Sequence, residues 1–310
     1  VQRIVITGGC GFIGSNLIAQ LKRAGNFEIV VFDNEVLGRH EWISEFGVKF
    51  VRGDITDRKA VRQVLEGMDG VVHLAADTRV IPSIEKPRFN FHVNVEGTLN
   101  ILEEMRAGGV NRLINASTGG AIVGNAEPPV HELMPASPLS PYGASKLAVE
   151  GYCSAFAASY GMNIVSLRFS NVYGPRSYHK GSVVAHFLKQ LLKNEPLIIY
   201  GDGSQTRDFV FVEDLCGGIM RALSMDVTGV YQLGSGEPTS VNELVDAMRA
   251  ATGVPVPVRH EDFRAGEVLA TYSDIARARK VLGFEPKTSL KDGLRHTWKW
   301  FVDNRQIFGA

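Results

Sequence analysis

A chain of 310 residues, 45% hydrophobic and 21% charged, has the make-up of an ordinary soluble globular protein and can bury one large core, or a large and a small one. Its 33 Lys and Arg balance 33 Asp and Glu without a basic tract, which argues against a nucleic-acid partner, and no apolar run reaches membrane-spanning length. Cys10, Cys153 and Cys216 are too few and too scattered for a disulfide framework or a zinc site, and the chain opens on a strand rather than a signal peptide, so a reducing cytoplasm is expected.

The first β-branched run, Arg3 to Ile6, predicts a buried strand, and apolar spacing from Phe12 to Leu21 predicts a helix. Between them stand Gly8, Gly11 and Gly14, where strand turns into helix. Gly8 permits a tight turn, Gly11 leaves the backbone bare for a pyrophosphate, and Gly14 lets the helix pack close to the strand. The phosphates would lie on the free N–H groups and the positive end of the helix dipole. A second run, Ile29 to Phe32, ends in Asp33, at the distance downstream expected of an acid that binds an adenine ribose. A carboxylate there repels a 2′-phosphate and favours NAD over NADP. Arg39 reads as a solvated loop arginine.

Val48 to Val51 predicts a strand, and Asp57 a cap for the helix after it. Gly70 to His73 is the next strand, with His73 a satisfied buried histidine. It leaves through Leu74, Ala75 and Ala76, where small side chains let a ligand pass close to the backbone. Arg112 to Ala116 reads as the fifth strand, leading into Ser117 and Thr118. Tyr142 to Tyr160 is a long helix entered through Pro138 and Pro141, and Asn163 to Phe169 is the sixth strand. Ser182 to Lys193 is an amphipathic helix, Leu197 to Tyr200 a short strand, and Glu213 and Asp214 open another helix. The alternation of strand and helix through the first half predicts an α/β fold with a doubly wound parallel sheet. Tyr142 and Lys146, four apart, share a helix face. A lysine held beside a phenol lowers the phenol's pKa and makes a base usable near neutral pH.

The glycine pattern with the Tyr142/Lys146 pair resembles the extended short-chain dehydrogenase/reductase superfamily, in particular the NAD-dependent nucleotide-sugar epimerases and dehydratases of the UDP-glucose 4-epimerase type, from Ile4 to about Trp300. The resemblance implies a Rossmann-type sheet with a smaller C-terminal α/β substrate-binding lobe. Residues 1–175 would bind NAD, with 209–235 returning to them in part, Val230 to Gly234 supplying the last strand of the main sheet, and 176–310 would mainly form the nucleotide-sugar lobe. It places Gly8, Gly11, Phe12, Ile13, Asp33, Asn34, Asp54, Ile55, Leu74, Ala75, Ala76, Asn94, Tyr142, Lys146 and Phe169 about the cofactor. Asp54 and Ile55 would meet the adenine, and Asn94 would steady the active-site backbone. Tyr142 and Lys146 would be catalytic together with the hydroxyl of Ser117 or Thr118; Thr118 is favoured, because related epimerases reading Ser-Thr-Gly-Gly-Ala use the second hydroxyl. Asn171 would bind the nucleotide sugar, Tyr200 would stack on a pyrimidine, and Arg207 and Arg264 would hold the diphosphate. Glu267 would meet the nucleotide ribose, and Thr271 falls where many hexose 4-epimerases keep a bulky gate. A homodimer through the helices around 82–107 and 142–160 is implied as well.

Two departures from the family pattern matter. Gly119 and Gly120 stand where dehydratases and sugar-acid decarboxylases carry acids, which counts against both reactions, and Val123 replaces the usual tyrosine before Gly124. The expected activity is therefore 4-epimerisation of a UDP-hexose or UDP-N-acetylhexosamine through a transient 4-keto sugar. A nucleotide-4-keto-sugar reductase using NAD(P)H, or a non-catalytic dinucleotide sensor, are the alternatives. No metal is expected, since His179 and His186 lack partners at ligand spacing.

Overall fold

The structure, a computed structural model, describes residues 2–263 and 269–308. The first half alternates strand and helix: β1 (Gln2–Thr7), α1 (Phe12–Ala24), β2 (Phe27–Asp33), β3 (Lys49–Arg52), α2 (Arg58–Leu65) and β4 (Gly70–His73). The short α3 (Val80–Glu85) and α4 (Pro87–Phe91) run through a π turn (His92–Glu96) into α5 (Gly97–Gly108). Then come β5 (Arg112–Thr118), α6 (Gly120–Val123), α7 (Pro141–Tyr160) and β6 (Asn163–Phe169). The second half contributes β7 (Asn171–Tyr173), α8 (Val183–Leu192), β8 (Leu197–Tyr200), β9 (Thr206–Arg207), β10 (Phe209–Phe211), α9 (Val212–Ser224) and β11 (Gly229–Leu233). It ends with β12 (Thr239–Ser240), α10 (Val241–Thr252), β13 (Val258–Glu261), α11 (Ala276–Leu282) and α12 (Leu290–Asp303).

Seven strands form one parallel sheet in the order β11-β6-β5-β4-β1-β2-β3. Both faces are covered, so the strands read as continuous apolar runs rather than alternating ones. Ile4 and Ile6 of β1 join a core with α1, α9 and α11 on one face, while Val5 joins Val30, Val71 and residues of α2, α5 and α7 on the other. A third core, from Tyr173 to Phe301, gathers α8, α10 and α12 around the small β7–β10 and β8–β13 pairs. From β1 the chain moves outward to β2 and β3, then returns to β4 on the other side. This leaves a crevice at the carboxyl ends of β1 and β4, where open α/β sheets bind ligands. No helix among the described residues is long and apolar enough to cross a membrane.

Two differences from the sequence expectation bear on the site. The fifth strand continues through Ser117 and Thr118, because these still pair with Arg168 and Phe169 of β6. Asn171 to Tyr173, for which no strand was expected, forms one of its own against β10.

Candidate active site

The glycine turn sits at the mouth of the crevice. Gly8 has φ +68°, and a Cβ there would come within 2.7 Å of the Ala75 amide nitrogen, so β1 and the exit of β4 touch through bare backbone. A Cβ on Gly14 would meet Gly9 and the Gly8 carbonyl, so this glycine packs against the turn itself rather than against the strand. α1 begins after Gly11 with no side-chain cap and no acid in its first turn, and a Cβ on Gly11 would meet only the Gly8 carbonyl, at 3.2 Å. Uncapped N–H groups and a positive dipole end beside open space are what a dinucleotide pyrophosphate requires. Phe12 is buried and Ile13 half-buried on the first turn of this helix.

Asp33, at the end of β2, is buried. It accepts from the Cys10 amide at 3.0 Å and the Glu35 amide at 2.7 Å, so it fixes the glycine turn as well as its own loop. Burial raises its pKa against these two hydrogen bonds. Asn34 donates to Asp54 at 2.7 Å, and Asp54 also accepts from the amide and hydroxyl of Thr56. Ile55 lies buried under Gly97, where a Cβ would strike it at 2.7 Å. Leu74 and Ala75 are held by Thr7, through its carbonyl and its hydroxyl, respectively. These residues fit the adenosine and pyrophosphate halves of NAD.

The residues expected to be catalytic lie where α7 starts, over the end of β5. Tyr142, Lys146 and Thr118 come together there. Thr118 hydrogen-bonds the Tyr142 phenol, and Lys146 Nζ donates to the Ala116 carbonyl at 2.8 Å. Ser117 is turned away: its hydroxyl donates to Glu150 at 2.5 Å. Of the two hydroxyls left open by the sequence, Thr118 is therefore the one beside the phenol. Burial pushes the Tyr142 phenol up to about 12, with the Asp77 charge adding to it, and brings the Lys146 ammonium down to about 8. Desolvation of the phenolate outweighs the hydrogen bond with Thr118, and the ammonium faces a backbone carbonyl.

Asn94, in the π turn, is buried with its amide bonded to the Asp77 backbone on both sides and to the Ser145 hydroxyl. It braces the β4 exit against α7. His73 is buried between the Thr7 and Thr98 hydroxyls at 2.7 and 2.9 Å. Phe169 ends β6 opposite Thr118.

On the substrate side, Asn171 is exposed at the start of β7, its amide donating to the Asp208 carbonyl, and Tyr200 and Arg207 are half-buried at the ends of β8 and β9. Thr271 donates through its amide to Thr206, and a Cβ on Gly120 would come 3.2 Å from its hydroxyl, so it stands over the turn after β5. The expected ligands Arg264 and Glu267 lie outside the described residues. Asp208, which the sequence offered only as a neighbour of Arg207, is a hub: its carboxylate accepts from the hydroxyls of Ser170 and Ser235 and the amides of Ser235, Gly236 and Ser273. Glu150 was also missed, although its place eight residues after Tyr142 puts it on the same helix face. At the surface, Glu35, His40 and Glu41 bring ligand atoms within 4.8 Å of one another, but Glu35 is already bonded to His40 and paired with Arg52.

The model of the NAD dependent epimerase/dehydratase family matches residues 4–234. A putative UDP-glucose 4-epimerase of Methanocaldococcus jannaschii is 38% identical over 309 residues, covering 98% of this chain and 99% of that protein. The crystal structure of a Thermotoga maritima UDP-glucose 4-epimerase with UDP-glucose superposes with a TM-score of 0.92 at 35% identity, over 98% of this chain and 100% of the other. That of a Thermus thermophilus UDP-glucose 4-epimerase in complex with NAD gives 0.90 at 37% identity, over 97% and 99%. With the glycine turn, the Tyr142/Lys146 pair and the whole-length likeness in agreement, the chain belongs to the NAD dependent epimerase/dehydratase family.

Proposed function

We propose that this protein is an NAD-dependent 4-epimerase of a UDP-hexose or UDP-N-acetylhexosamine. The observation that carries the reading is a single acid–base group, Tyr142, held by Thr118 over the end of β5, while Gly119 and Gly120 bring no second acid to the turn. An epimerase that oxidises and re-reduces the same carbon needs one proton acceptor and donor; a dehydratase needs more. The dinucleotide, when bound, supplies a hydride acceptor and a positive charge. Tyr142 takes the proton of the sugar 4-hydroxyl and returns it after the 4-keto sugar has turned over. Thr118 orients that hydroxyl, and Lys146, one turn further along α7, supplies a cation. Gly8, Gly11 and the first turn of α1 would hold the pyrophosphate, and Asp33 the adenine ribose. Asn171, Tyr200 and Arg207 would hold the nucleotide diphosphate, leaving the sugar free to rotate.

The relatives' UDP-glucose supports a UDP-sugar substrate. A homodimer through the helices around 82–107 and 142–160 is part of the reading. Its support is a groove of about 820 Å³ lined by Pro87, Phe91, Val95, Ala144 and Ala148, beside the exposed Phe89 and Tyr152. Three buried, unpaired cysteines support a reducing, cytoplasmic setting. Incubation with UDP-glucose and UDP-N-acetylglucosamine without added reductant, followed by NMR, tests the activity. The C4 epimer should accumulate without a net absorbance change from nicotinamide; stoichiometric consumption of NAD(P)H would identify a reductase instead.

A further inference from the structure

Tyr142, Lys146 and Glu150 recur every four residues on one face of α7, and each reaches one of the last three residues of β5. Tyr142 meets Thr118, Lys146 bonds the Ala116 carbonyl, and Glu150 accepts from Ser117. Glu150 is buried, and its two carboxylate oxygens also accept from the Arg168 guanidinium, Nε at 2.9 Å and Nη2 at 2.8 Å. Arg168 is buried too, and it sits on β6 directly opposite Ser117. One ion pair thus joins α7, β5 and β6 just behind the reactive groups. A buried ion pair is a poor stabiliser, since desolvating both charges offsets most of their attraction; apolar residues would pack the same space at no greater cost.

We infer that Glu150 and Arg168 are positioning residues: they set the register of α7 on β5, and the Glu150 carboxylate is the electrostatic support of the Lys146 ammonium. The inference rests on the proposed role of Tyr142. The groups acting on Lys146 are Cys153 and Glu150 on its own helix, His73 on β4 and the Ala116 carbonyl on β5; Arg168 of β6 and the Ser117 hydroxyl reach Glu150, and Asp77 acts on Tyr142. Burial drives the lysine towards its neutral form, and Cys153 and then Glu150 oppose this, so taking away the Glu150 charge alone lowers the pH up to which the cation survives.

The test is the pH dependence of kcat and KM for UDP-sugar epimerisation in three variants, with the ε-methylene of Lys146 titrated by NMR in each ¹³C-lysine-labelled protein. Glu150→Gln keeps shape and removes the charge. It should lower kcat about tenfold with KM within about twofold, and move both the alkaline limb and the lysine titration down by about one pH unit. Arg168→Met leaves the carboxylate unbalanced and should move them up. The charge-balanced pair Glu150→Gln/Arg168→Met should leave the limb in place while kcat stays low, and it carries the test if a single variant does not fold. Folded variants with a lowered unfolding temperature but wild-type kcat and an unmoved lysine titration would overturn the inference. Tyr142→Phe, run beside them, separates the two claims: full activity there sinks the proposed function, whereas the lysine titration still reads the ion pair.

Discussion

Tyr142 is in a setting that resists ionisation, with burial holding the phenol at about 12 and Lys146 at about 8. In the proposed reaction, Lys146 and the positive charge that would arrive with NAD offset this resistance. Tyr142→Phe removes the proposed proton acceptor and leaves the packing; its kcat should fall by about 10² to 10⁴ while the dinucleotide is retained. His73 shows the opposite use of a titratable group. Thr98 spends its hydroxyl proton on the Asn94 carbonyl at 2.6 Å, so it accepts from His73 Nε2, and Thr7 then donates to Nδ1. The ring must be neutral, and its pKa is lowered to about 3, first by burial and then by the Lys146 charge. A folded pKa below the unfolded one means that stability is full above pH 6.5 and drains as pH falls towards 3. Urea midpoints measured across that window should decline more steeply for the wild type than for His73→Gln. The satisfied histidine was legible from its place in a buried strand. The choice between Ser117 and Thr118 was not, because it turns on Glu150, thirty-three residues away in the chain.

Elements were legible where local chemistry dictates them. β1, β2 and β4 are apolar on both faces because helices cover both, and α2 starts at Asp57, which accepts from the Lys59 and Ala60 amides at 2.9 and 3.2 Å. Asp57→Ala should cost about 1 kcal/mol in urea unfolding and leave KM unchanged. Elements set by distant partners were not legible. The pairs β7–β10 and β9–β12 are two or three residues long and exist only because far segments meet. Gly38 is a further case: it reads as a loop residue, yet a Cβ there would stand 2.3 Å from the Cys10 carbonyl. Gly38→Ala should push the loop after β2 off the glycine turn and raise the dissociation rate of NAD severalfold, measured by release from the purified holoenzyme.

Over the whole molecule, the third core is tied to the sheet by a few polar contacts across the crevice. Asn16 of α1 donates to the Pro175 carbonyl, Arg176 donates to the Trp42 carbonyl and to Glu45, and His179 stacks on Trp42 at 4.9 Å. The segment after β7 is thus fastened to the loop after β2. Arg176→Ala should loosen this fastening, and the purified enzyme should then lose NAD on gel filtration that the wild type keeps. The parallel sheet could be read from the alternation of strand and helix through the first half; the fastenings could not, since each joins residues more than a hundred positions apart. The proposed dimer is tested by sedimentation: Ala148→Arg in the α4–α7 groove should give monomers.

The central claim is that the hydrogen removed from the sugar C4 is the one returned to it, with Tyr142 trading only the hydroxyl proton. Epimerisation of a UDP-sugar in D₂O, read by NMR at C4 of the product, tests it directly. Protium at C4 is the predicted result, and solvent deuterium at that carbon would contradict the account.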